Sequence, residues 1–113
     1  MLRPIALALA LTVAACDAGA DLSPDFGDPY TVPPNTAVAL ADGQLTVTVQ
    51  YAGGCAEHTF TARTRGPEAW VVHDANGDAC EALVTEAVTV ATDLGDGPAT
   101  VLTPDGQRIR VGG

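Results

Sequence analysis

The residues best placed to do chemistry are two cysteines and two histidines. Cys55-x-x-His58 stands behind a Gly53-Gly54 pair, and six residues separate His73 from Cys80. Two sulfurs and two imidazoles are the ligand set of a structural zinc, although the His73–Cys80 spacing is loose for such a site. A cysteine close to a histidine is also the pairing of a nucleophile with its base, which needs a free, ionised thiol. A disulfide between Cys55 and Cys80 is the third reading. The compartment decides among them.

Within the second half of this set runs "DANGDACE", residues 74–81. Asp74, Asn76 and Asp78 alternate as they do at the start of a calcium loop. Ala79 then stands where that loop needs glycine, and Thr85 where it needs a bidentate glutamate. The segment therefore reads as a polar turn on Asn76-Gly77, its side chains bonding local amides. His58 shares a strand face with Phe60 and reads as a buried or half-buried imidazole bonded to a carbonyl or carboxylate. His73, beside Asp74 at a strand end, reads the same way. No cofactor is expected. The alternative is a metal-dependent site drawn from His58, His73, Asp74 and Asp78, with Glu81 beside them.

Composition removes most enzyme templates. The one serine is Ser23, near the start of the chain, and there is no lysine. A serine nucleophile in the body, a Schiff-base amine and a phosphate-loop lysine are all excluded. The chain is expected not to be an enzyme. Fourteen Asp and Glu face five arginines, a formal charge of −9, which repels nucleic acid and anionic headgroups. The carboxylates are scattered, as on a solvated surface.

The first residues, "MLRPIALALALTVAAC", carry Arg3 and then an apolar run from Ile5 to Ala15. That run is too short to span a bilayer and has the length of a signal-peptide core. Val13-Ala14-Ala15-Cys16 resembles the lipobox of bacterial lipoproteins. The resemblance implies cleavage after Ala15, a lipid on the Cys16 sulfur and a body held on a membrane surface of the cell envelope by several acyl chains. It leaves open whether that is the inner or the outer membrane. With Cys16 lipidated, Cys55 and Cys80 are the remaining thiols in an oxidising compartment, and a disulfide is their first reading. It would close a loop of about 26 residues, worth ~3.5 kcal/mol on the chain-entropy model.

These groups need a scaffold, and the pattern of the rest is β. Residues 1–15 read as signal peptide, and 16–35 as the lipidated cysteine and a flexible Asp-, Gly- and Pro-rich tether, with docking of Phe26 and Tyr30 on the domain as the alternative. Residues 36–113 form one domain. "VALADGQLTVTVQY" is two runs joined at Asp42-Gly43, a hairpin dipeptide. Leu45, Val47, Val49 and Tyr51 alternate with polar residues, so one face is buried. "HTFTARTR" alternates as well, and "EAWVVHD" is apolar on both faces, as a central strand is. Trp70 is the expected core anchor, with Phe60 and Tyr51 near it. "CEALVTEAVTVATDL" fits a helix face or a strand, and its Val and Thr content favours strand. Pro104-Asp105-Gly106 marks a second hairpin. The sum is an all-β domain, a small antiparallel sandwich or barrel of six to eight strands.

The two motifs Y-x-G-G-C-x-x-H-x-F and H-D-x-N-x-D-x-C-E-A, here Tyr51 to Phe60 and His73 to Ala82, resemble a group of uncharacterised small envelope lipoproteins of bacteria. The resemblance implies no activity. The sequence points to a lipid-anchored, non-catalytic binding or structural module. Its partners would be the membrane, through the anchor, and an envelope protein, with no nucleic acid.

Overall fold

A computed structural model describes residues 23–112; Cys16 and the segment read as a signal peptide lie outside them. Seven strands form among these residues: β1 (Val38–Ala41), β2 (Gln44–Gly53), β3 (Thr59–Arg65), β4 (Glu68–Asp74), β5 (Ala82–Ala91), β6 (Ala99–Leu102) and β7 (Arg108–Val111). A three-stranded sheet, β1-β2-β5, packs on a four-stranded one, β3-β4-β6-β7. The all-β expectation holds, and the ambiguous segment after Cys80 is strand β5. One pairing is parallel, Glu68 and Ala69 of β4 beside Thr100 and Val101 of β6. It arises because β5 crosses to the other sheet between them.

Turn chemistry fixes the register. Asp42 and Gly43 have φ of 54° and 76°, the pair of positive values that a two-residue I′ turn requires. That sets Ala41 opposite Gln44 and turns Leu45, Val47, Val49 and Tyr51 inward. They meet Val71, Val88, Val90, Val101 and Val111 in one apolar core.

Trp70 departs from its expected place. Ala69, Val71 and His73 point into the core, so the period of two sends Trp70 to the other face of β4. It is buried there but stands outside the core cluster. Arg65 lies over its ring at 5.4 Å, and its indole donates to the Asp25 carbonyl at 3.2 Å.

The expected tether also changes character over its described part. Residues 24–32 form a strap laid along the domain. Gly27 bridges to His73 and Thr31 to Gln50, so the strap crosses from one sheet to the other. Tyr30 is buried and donates its hydroxyl to the Val71 carbonyl at 2.6 Å. Val32 is buried as well. The physical reason is the free edge of β4 beyond Ala69, whose peptide groups need partners; Asp28 N donates to His73 O at 2.7 Å and His73 N to Phe26 O at 3.0 Å.

Candidate functional site

The β2–β5 ladder carries the site at its far end. Its register pairs Gln44 with Ala91 through to Gly53 with Ala82. Two residues further along each chain stand Cys55 and Cys80, joined as a disulfide with their Cα atoms 5.8 Å apart. The bridge thus staples the open end of the longest ladder. Two sulfurs bonded to each other offer neither a nucleophilic thiolate nor a thiolate ligand.

Beneath the staple His58, His73 and Asp78 converge. His58 Nδ1 is 2.7 Å from His73 Nε2, and His58 Nε2 is 2.8 Å from Asp78 Oδ2. The far nitrogen of His73, Nδ1, is 3.1 Å from both the Asp28 and the Pro29 carbonyls of the strap. The side chains of His58 and Asp78 are almost fully closed to solvent, at 1% and 0% exposure, and His73 is buried. Phe60 stacks on His73 with centroids 4.8 Å apart and planes 5° apart. Tyr51 stacks on His58 at 4.3 Å.

Asp78 is the hub. Its Oδ2 accepts from Cys55 N and Ala56 N, each at 3.0 Å, and its Oδ1 from Cys80 N at 2.9 Å. With His58 that makes four bonds, three on Oδ2 and one on Oδ1. The bond from His58 does most to hold its pKa far below the usual carboxylate range, followed by the Cys80 amide; burial works the other way, and the Cys55 and Ala56 amides add to the lowering. Tyr51, across the stack, donates a hydrogen bond from its hydroxyl to Glu86. Burial first, and then that carboxylate, push the phenol up to about 12.

Of the sequence-derived candidates, the structure brings together His58, His73, Asp78 and the disulfide. Asp74 is turned toward its own turn, where Oδ1 accepts from Asn76 N at 2.8 Å. Asn76 reaches instead to Glu57 O at 2.7 Å and Thr59 Oγ1 at 3.0 Å. Glu81 is exposed just before β5. Sulfur and carboxylate atoms of Cys55, Asp78 and Cys80 lie within 4.8 Å of one another, but the sulfurs are spent on each other and the carboxylate on four hydrogen bonds. The donor set a cation would need is consumed internally.

Two members were not foreseen. Gly53 faces the His58–Asp78 pair so closely that a Cβ there would sit 2.7 Å from His58 Nε2 and 3.0 Å from Asp78 Oδ2. The double glycine was a visible signal, but for a bend rather than for this approach. The strap carbonyls at Asp28 and Pro29 left no signal, because backbone acceptors are the same at every position.

Outside this end, the outer face of the three-stranded sheet has the opposite chemistry. The register sets Thr46 beside Thr89, Thr48 beside Ala87, and Gln50 beside Thr85. Leu83 beyond them is 73% exposed. Among the described residues, β1, β2 and β5 place no acidic side chain on this face; Glu86, the one charge in β5, is on the inner register beside Val49. No protein-family model matches the chain, and comparison with curated proteins and with solved structures found no match.

Proposed function

We propose that the chain is a lipid-anchored, non-catalytic domain of the cell envelope that works by binding a partner protein through the outer face of β1-β2-β5. One observation carries this reading: a protein of formal charge −9 keeps one broad sheet face free of charge. Charge depletion, rather than bulk hydrophobicity, is what marks the centre of a protein interface. The lipobox-like Val13–Cys16 supports the anchor, and the internally saturated His58–His73–Asp78 cluster supports a structural rather than a catalytic role for that end.

Photo-crosslinking in cells tests the face. A photoreactive residue in place of Thr85 is expected to give a discrete protein adduct, and one in place of Arg63 on β3 is not. Equal labelling from both positions, or none from position 85, would contradict the reading. The anchor is tested separately by Cys16→Ser, which should lose detergent-phase partitioning.

A further inference from the structure

The hydrogen bonds around the two histidines can be counted in protons. Carbonyl oxygens only accept, so His73 Nδ1, facing Asp28 O and Pro29 O, carries a hydrogen. The 2.7 Å link between His58 Nδ1 and His73 Nε2 needs one hydrogen. The 2.8 Å link from His58 Nε2 to Asp78 needs another. Three bonds require three protons, and two neutral imidazoles supply two. The Cys55, Ala56 and Cys80 amides all donate to Asp78 and favour a carboxylate over a carboxylic acid there, so the extra proton lies on the imidazoles.

The surroundings suit a cation. Aromatic faces cover both rings, Tyr51 on His58 and Phe60 on His73, an arrangement that favours positive charge. The ionisable groups packed around the pair are Asp78 from the 75–81 loop, Tyr51 from β2, Glu86 from β5 behind the Tyr51 hydroxyl, and Tyr30 and Asp28 from the strap. The Asp28 carboxylate is bonded to Ala75 N at 2.7 Å. Burial pushes both phenols upward, so neither tyrosine changes charge near neutrality.

We infer that His58 and His73 together hold one proton beyond those of two neutral imidazoles, and that this proton latches the 24–32 strap to β4. When it leaves, two hydrogens must serve three bonds. The charge-assisted bond to Asp78 is the strongest of the three, so the deficit passes along the chain to the strap carbonyls. A lone pair at His73 Nδ1 would then face two carbonyl oxygens, and residues 26–30 would loosen. The strap lies between Cys16 and the domain in sequence, so on the lipoprotein reading the latch controls how the domain hangs from its anchor. The latch itself does not depend on that reading.

The sign follows from linkage. A proton held by the native pair and not by the unfolded chain strengthens the latch at low pH, and the latch is lost as the pH rises. Trp70 is the one tryptophan and donates to Asp25 of the strap, so its emission reports release. In the disulfide-bonded protein we expect a reversible red shift as the pH is raised, with the steepness of one proton and complete below the ~10 of an ordinary tyrosine, with the far-ultraviolet spectrum unchanged. His58→Phe should abolish it. Nitrogen-15 shifts of the wild-type rings at neutral pH should show one imidazolium's worth of protonation over the pair, and this decides the matter even where the variant fails to fold. Two neutral imidazoles at neutral pH, no shift in emission, or the same transition in His58→Phe would overturn the proposal.

Discussion

The two ends of the β2–β5 ladder are built from different materials. At the Gln44–Ala91 end the sandwich is filled by Leu45, Val47, Val90 and Val111, whose packing has no direction and few partners to satisfy. At the Gly53–Ala82 end it is filled by two imidazoles, a carboxylate and a phenol, covered by a disulfide. Buried polar groups at that end are stable only as a complete set, because each one left without a partner costs its desolvation. The first end should therefore tolerate damage by degrees. The second should fail as a unit.

The contrast can be broken most forcefully by cavities and cuts. Leu45 is fully buried, and Leu45→Ala should destabilise by ~2–5 kcal/mol, by the same amount with and without a reductant in denaturant titrations. Cys55→Ala should cost ~2–5 kcal/mol, and Cys55→Ala with Cys80→Ala about the same as either alone. Reductant should lower the wild type to the level of that double variant and leave the variant unmoved. Additive losses from the two cysteine changes would show that the sulfurs do not act as a unit.

Acid gives a graded test of the same end. Asp78 is held ionised in the fold, so its contribution is present above the ~3.9 of a free aspartate and lost as the pH falls through its lower folded value. Asp78→Asn should flatten the acid limb of the stability curve, whereas Leu45→Ala should shift that limb without changing its slope. The smallest effect belongs to the outer face. Leu83→Thr should change stability by no more than about 0.5 kcal/mol, while weakening the adduct formed from position 85.

The same contrast explains what was legible in the sequence. Alternation from Leu45 to Tyr51 and the Asp42-Gly43 turn fix the first hairpin and its buried face, because period and turn chemistry are local. The disulfide was legible by elimination once Cys16 was assigned to the anchor. The convergence of His58 with His73 was not, since it depends on how β3 and β4 are set against the end of β2. The burial of Trp70 was legible but its face was not, because "EAWVVHD" is apolar on both faces and parity cannot be read from it. The strap was legible only in Phe26 and Tyr30, the two aromatic residues able to dock. Its Pro- and Gly-rich composition suits a tether, and only the unpaired edge of β4 gives it somewhere to dock.

The central claim is that Cys55, Cys80, His58, His73 and Asp78 form a closed structural lock rather than a metal or catalytic centre. Intact mass of the natively purified protein, with thiol alkylation under denaturing and non-reducing conditions, tests it most directly. The account predicts a mass short of two hydrogens, no bound metal and no alkylation at Cys55 or Cys80. A full complement of alkylated thiols at these two positions, together with stoichiometric zinc in the native protein, would contradict it.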